Sequence, residues 1–276
     1  MKRILTALVA IPILLFTVWV ETPYYFVGIT AAAAVVALTE FYALASQTKL
    51  KTVTAAGYAA GALIVYAFVA DRPALIVVAI AGLALVALTV AVVTTNEMSA
   101  ALASVSASVF GVVYAVLLPA YLVGVRMIPD SSVTPPVPHL AAKLLTMFLA
   151  MVMMTDTGAY YTGRSIGRHK LAPRVSPGKT IEGSVGGFVA ATLSGLVCKL
   201  AFFPEIQTLH AVAFGAVIGV VSQIGDLAES ILKRGAGVKD SGRIFPGHGG
   251  MLDRMDSILF CAPILYYYSR YVLPAA

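Results

Sequence analysis

The sequence predicts an all-α fold that crosses a membrane several times, and three observations predict it. Of the 276 residues, 59% are hydrophobic and only 12% are charged, with a mean hydropathy of +0.90. A water-soluble fold of this length would need far more charge on its surface, whereas a bilayer solvates apolar helices directly and requires only that backbone groups pair internally. The apolar residues come in long runs, and the charges sit in the short loops between them.

A crossing helix needs roughly 17 to 25 residues. Such runs occur at about 4–20, 24–46, 53–70, 73–94, 102–128, 140–162, 184–203, 208–232 and 253–273, with ends good to about 2–4 residues, which gives about nine spans. The first follows Met1-Lys2-Arg3 in the manner of a signal peptide. Pro12 and bulky residues interrupt it and no small-x-small site clearly follows, so it is read as an uncleaved first span. The Pro-rich stretch from Pro129 to Pro138 reads as an extended connector. No internal repeat is visible, which argues against the inverted symmetry common in transporters.

An odd span count puts the termini on opposite sides. With the N-terminus in the cytoplasm, that side collects Lys2, Arg3, Lys49, Lys51, Arg164, Arg168, Lys170, Arg174, Lys179, Lys233, Arg234, Lys239, Arg243 and Arg254. The other side holds Arg72, Arg126 and Arg270, with Lys143 and Lys199 near span ends. The positive-inside rule therefore places the N-terminus in the cytoplasm. The formal net charge of +6, spread over these loops, suits membrane orientation and anionic ligands better than a nucleic-acid groove. Cys198 and Cys261 fall in apolar segments and read as buried thiols rather than a disulfide or metal site.

Polar content divides the chain. Residues 1–100 read as a transmembrane scaffold, and residues 101–276 as the catalytic region of the same integral unit, with two cytoplasmic polar loops. The second part carries Asp156, Glu182, Asp226, Glu229, Asp240, Asp253 and Asp256. Asp226 lies in or beside a span, where an unpaired carboxylate costs about 2.5 to 3.5 kcal/mol. A divalent cation or a basic partner from another helix would offset that cost, and both readings stay open. Glu229 shares roughly the same face. Asp253 and Asp256, three apart at the start of a span, project from one helical face and could hold one hard cation such as Mg²⁺, although acids also favour a helix start for dipolar reasons.

The segment before them strengthens the first reading. Lys233-Arg234, Lys239-Asp240 and Arg243 supply positive charge, and glycines surround a histidine in Gly247-His248-Gly249-Gly250. That turn allows amide hydrogens at Gly249 and Gly250 to point at a phosphate oxygen. Paired carboxylates with an anion grip suit phosphoryl or nucleotidyl transfer. The attacking group in such chemistry is already anionic, so His248 is read as a phosphate contact or loop residue rather than a base.

A second polar loop runs through Asp156-Thr157-Gly158-Ala159-Tyr160, Arg164, and Ser176-Pro177-Gly178-Lys179-Thr180-Ile181-Glu182-Gly183. Gly178-Lys179-Thr180 is not a P-loop, because Pro173 stands where the first glycine belongs and no strand precedes it. Ser176 before Pro177 predicts a helix N-cap with proline in the first turn, which would let Lys179 and Glu182 both face a nucleotide.

Three segments resemble the phosphatidate cytidylyltransferase (CDP-diacylglycerol synthase) family. The first is the run from Ser230-Ile231-Leu232-Lys233-Arg234 through Lys239-Asp240-Ser241-Gly242 to Phe245-Pro246-Gly247-His248-Gly249-Gly250-Met251-Leu252-Asp253-Arg254-Met255-Asp256. The others are Asp156-Thr157-Gly158-Ala159-Tyr160 and Ser176-Pro177-x-Lys179-Thr180-x-Glu182-Gly183. Together they span about residues 150 to 260; the N-terminal spans are similar only in hydropathy. The resemblance implies a homodimeric polytopic enzyme of the bacterial inner membrane, with its site facing the cytoplasm, that condenses CTP with phosphatidic acid to CDP-diacylglycerol and pyrophosphate. It implies Mg²⁺, and allows a second cation such as K⁺, with Asp226, Asp253 and Asp256 as metal ligands. Lys179 and Lys239 are then expected to act with those acids on the reacting phosphates. Lys233, Arg234, Arg243, His248, Gly249, Gly250, Thr180, Glu182, Asp156 and Arg164 are expected to bind substrate. A transferase using another lipid phosphate or a prenyl- or archaeol-type lipid, and a cation-coupled transporter, are the alternatives.

Overall fold

The computed structural model describes residues 2–94, 98–244 and 249–273, with side chains from residue 11 onward. His248, expected at the phosphate, therefore lies outside the described residues. Each apolar run coincides with helix. Among the described residues, six helices are long and apolar enough to cross a membrane, against the nine spans expected. The Thr54–Val69 helix is apolar but shorter. The chain divides into two compact units, Met1–Met127 with Gly235–Met255, and Ile128–Arg234 with Asp256–Ala276.

The first unit contains α1 (Lys2–Trp19), α2 (Tyr24–Gln47), α3 (Thr54–Val69), α4 (Ala74–Thr94), α5 (Met98–Val112) and α6 (Leu118–Arg126). A π turn at Val113–Leu117 joins the last two. Pro119 explains it: proline has no amide for the Ala115 carbonyl and its ring crowds the preceding turn, so the ladder widens locally. Phe41 of α2 packs against Tyr42, Phe110 and Tyr114. The Tyr42 hydroxyl donates to the Ser108 carbonyl over 2.9 Å, satisfying a buried polar tip inside apolar packing. Val77, Val78, Leu85 and Val92 of α4 are exposed, as a lipid-facing helix allows.

The second unit opens with α7 (Leu140–Ile166) and a short hairpin, β1 (Lys170–Ala172) and β2 (Ser176–Thr180), paired antiparallel with Lys170 opposite Thr180. α8 (Ile181–Ala201) and α9 (Thr208–Gly235) follow, and α10 (Leu252–Tyr267) ends the unit after a first turn that belongs to the other. Small residues bring α7, α8 and α9 close. A Cβ on Gly187 would lie 2.7 Å from the Thr155 carbonyl oxygen, and one on Gly215 2.8 Å from that of Ala191. Such stripes drive association where lipid leaves little hydrophobic force between helices. At the end of α7 away from the hairpin, Lys143 pairs with Glu205 at 2.6 Å, and Lys199 donates to the carbonyls of Pro204 and Ile206. Burial pushes the Glu205 carboxyl up, but the hydrogen bond from Lys143 and the charges of Lys143 and Lys199 outweigh it and leave the group below its ordinary range. Cys198 and Cys261 are buried free thiols, as expected.

Candidate active site

The hairpin overturns one expectation. Ser176 and Pro177 form strand β2, not a helix cap. The cap is Thr180, extended at φ −125°, ψ 155°, whose hydroxyl accepts the Gly183 amide over 3.1 Å. The hairpin continues to the helix start, because the Ile181 amide donates to the His169 carbonyl. A strand pairing reaching residue 181 leaves no room for a helical turn at 177, and threonine at the first free position caps as well as serine would.

This junction forms the floor of a cavity of about 490 Å³ inside the second unit. Asp156, Tyr160 and Arg164 reach it from α7, Lys179 and Thr180 from the hairpin, and Asp226 from α9. Lys179 Nζ lies 2.7 Å from Asp226 Oδ2, so the intramembrane acid has a basic partner. Arg164 is braced by the Tyr160 hydroxyl at 2.8 Å. The cavity therefore presents two cations beside two carboxylates, which suits a polyanion carrying its own metal better than a neutral ligand. Tyr160 and Gln223 also line it and were not singled out from sequence.

Asp256 stands in the same unit on α10. A Cβ at Gly225 would lie 2.6 Å from the Asp256 carbonyl oxygen, so glycine lets α9 and α10 touch by their backbones directly before Asp226. Asp226 and Asp156 are the acids that act electrostatically on Asp256. The Ser257 hydroxyl reaches Asp156 at 3.5 Å. Among the described residues no group of three or more acids, histidines or cysteines is arranged to hold a metal. Mg²⁺ needs only one or two protein carboxylates when substrate phosphates complete its shell, and Asp226 with Asp256 offers hard oxygens of that kind.

Several expected ligands are committed elsewhere. Glu182 does not line the cavity. Its carboxylate accepts from the Arg168 amide at 3.0 Å, the His169 amide at 3.2 Å and the His169 ring at 2.6 Å, tying the strand entrance to α8. Lys233 pairs with the buried Glu229 one turn earlier, so neither is presented to solvent as a loop charge. Arg234 is exposed near the end of α9, and Lys239 and Arg243 are exposed in the following turn.

In the first unit, the turn before α10 is organised by two carboxylates. Asp253 Oδ2 accepts from the Ser241 amide at 2.9 Å, the Ser241 hydroxyl at 2.9 Å and the Gly250 amide at 2.7 Å. The Gly250 amide, expected at a phosphate, is thus taken up inside the protein. Gly249 adopts φ +80°, a left-handed conformation for which glycine is the suited residue. Glu40, from the stretch read as scaffold, accepts from the Met251 amide at 2.9 Å, the Leu252 amide at 3.0 Å and the Ser241 hydroxyl at 3.1 Å. The signal for it was present: an acid in an apolar span is costly and asks for an explanation.

A model of the cytidylyltransferase family matches residues 1–272. The chain belongs to that family. This cytidylyltransferase family member is 38% identical over 176 residues to Uncharacterized protein YnbB of Escherichia coli (strain K12), covering 64% of this chain and 57% of the relative. It is 38% identical over 193 residues to Phosphatidate cytidylyltransferase of Synechocystis sp., covering 63% and 65% respectively. Identity reaches 46% over 126 residues with Phosphatidate cytidylyltransferase of Bacillus subtilis (strain 168), covering 45% and 47%. The chain thus spans about half to two thirds of the length of the curated relatives it matches.

Proposed function

We propose that this protein is a phosphatidate cytidylyltransferase, transferring CMP from CTP to phosphatidic acid with release of pyrophosphate. The observation that carries the reading is the cavity in the second unit, where Lys179 and Arg164 stand beside Asp226 and Asp156 in a member of the cytidylyltransferase family. The names of the relatives from Synechocystis and Bacillus subtilis support the choice of substrates.

In this reading a non-bridging oxygen of the phosphatidate phosphate attacks the α-phosphorus of CTP. The new P–O bond forms as the bond to the β-phosphate oxygen breaks, and pyrophosphate departs with that electron pair. The nucleophile is already anionic, so no side chain needs to remove a proton. Lys179 and Arg164 hold the triphosphate and offset charge between the two reactants. Asp226 and Asp256 would hold Mg²⁺, which when bound neutralises phosphate charge and orients the leaving group. Asp253 keeps the turn before α10 in shape, and Lys239 and Arg243 in that turn add positive charge toward the phosphates. The acyl chains remain in the bilayer, which accounts for a nucleotide enzyme built almost wholly of apolar helices. The residue resemblance further supports a homodimer in a bacterial inner membrane, with the cavity open to the cytoplasm where CTP is found.

Purified protein given labelled CTP and phosphatidic acid in mixed micelles is expected to release pyrophosphate and form CDP-diacylglycerol. Asp256→Asn should retain less than about 1% of the rate, the scale on which an electrostatic group at a transferring phosphate acts. EDTA should abolish turnover and added Mg²⁺ restore it. Full activity in Asp256→Asn or in EDTA would remove the metal assignment. Transfer to a prenyl phosphate but not to phosphatidic acid would replace the lipid substrate.

A further inference from the structure

Glu40 is 8% exposed, sits in the 24-residue helix α2, and spends its carboxylate on one feature. Its two oxygens take the amides of Met251 and Leu252, which open α10, and its Oε2 also takes the Ser241 hydroxyl. The first amides of a helix have no partner inside it and are normally capped by a nearby side chain. Here the cap comes from another helix, 211 positions away in sequence for Met251. A carboxylate in that place also favours the positive end of the α10 dipole.

The same group explains two glycines. A Cβ at Gly242 or at Gly250 would overlap the Glu40 carboxylate, so both positions are shaped around it. The Ser241 hydroxyl lies within hydrogen-bond distance of both Glu40 and Asp253, at 3.1 and 2.9 Å, and ties the two buried acids into one network. That network holds a turn carrying Lys239, Arg243 and Gly249, and the start of the helix carrying Asp253 and Asp256.

We propose that Glu40 is a positioning residue of the transferase, capping α10 from α2 and fixing the 241–252 turn in its working geometry. The proposal rests on the transferase reading for its kinetic consequences but not for its structural one, and the experiment separates the two. Glu40→Ala should lower kcat by about 100-fold, the loss expected from misplacement of a group by about 1 Å. KM for CTP should change less than about threefold, because Lys179, Arg164 and Asp226 are untouched. Glu40→Gln keeps an acceptor oxygen for one amide and should recover kcat to within about tenfold of wild type. In hydrogen exchange the Met251 and Leu252 amides should exchange about tenfold faster in Glu40→Ala, as loss of one charged acceptor predicts.

A kcat for Glu40→Ala within about threefold of wild type overturns the proposal. So does an equal loss in the Ala and Gln variants spread over kcat and KM alike. Should Glu40→Ala fail to accumulate, Ser241→Ala removes only the shared hydroxyl and should still lower kcat by about tenfold; an unchanged rate there sinks the idea. Wild-type protein that makes no CDP-diacylglycerol, yet whose two amides speed up on loss of Glu40, would end the transferase reading and leave the anchor standing. Unchanged exchange would end the anchor.

Discussion

Lys179 and Asp226 show what a single ion pair can do before substrate arrives. Each is roughly one quarter to one third exposed, so the pair is neither deeply buried nor fully screened. With the ammonium beside it, Asp226 has an answer to the cost of a carboxylate at a span. A triphosphate entering the cavity competes for the same ammonium, and as Lys179 turns to phosphate, Asp226 becomes available to a cation that travels with the nucleotide. Lys179→Met should therefore raise KM for CTP and lower kcat/KM by about 10- to 100-fold, the worth of one charged hydrogen bond. Lys179→Arg should recover only part of this, because a planar fork does not replace a point charge at a fixed distance. Steady-state rates with labelled CTP decide; an unchanged KM in Lys179→Met would take the lysine out of the nucleotide site.

The junction of hairpin and helix is where local structure makes that lysine useful. Thr180 ends β2, caps α8 and lines the cavity, and Gly163 and Gly183 of α7 and α8 leave room for its side chain. Thr180→Val keeps the shape and removes the cap, which should cost about 1 kcal/mol and shift Lys179 by loosening the strand end. Thr180→Ser should be nearly neutral. Thermal unfolding in detergent together with kcat checks both, and equal stability of the two variants would contradict the cap. The helices of this region were legible in the sequence because apolar runs and Gly spacing report lipid and close packing directly. The hairpin was not, since strands of three and five residues carry no period and Ser176-Pro177 satisfies a helix start equally well. Glu182 and Lys233 were assigned to substrate from residue type alone, and only the fold reveals that backbone amides and Glu229 claim them first. Glu40 went unread because its partners are backbone groups some 200 positions on, and no local pattern records them.

At the scale of the whole chain, charge placement carries the prediction of sidedness, and the structure sharpens it. Helix α7 has 27 residues and is therefore about 40 Å long, enough to put its two ends on opposite sides of a hydrocarbon core about 30 Å thick. Its C-terminal end leads into Arg164, Arg168, Lys170, Arg174 and Lys179, whereas the basic residues at the other end, Lys143 and Lys199, are engaged by Glu205 and by backbone carbonyls. Discounting those two leaves the hairpin side far richer in uncompensated positive charge, which the positive-inside rule assigns to the cytoplasm. The 129–138 connector should then face the opposite compartment. Ser131 and Arg174 are both exposed, and the native thiols Cys198 and Cys261 are buried and give little background. With a membrane-impermeant maleimide, Ser131→Cys should label in intact cells and Arg174→Cys only in inverted vesicles. The reverse pattern would place the Lys179–Asp226 cavity on the side that holds no CTP, and the proposed reaction could not run there whatever the chemistry of its residues.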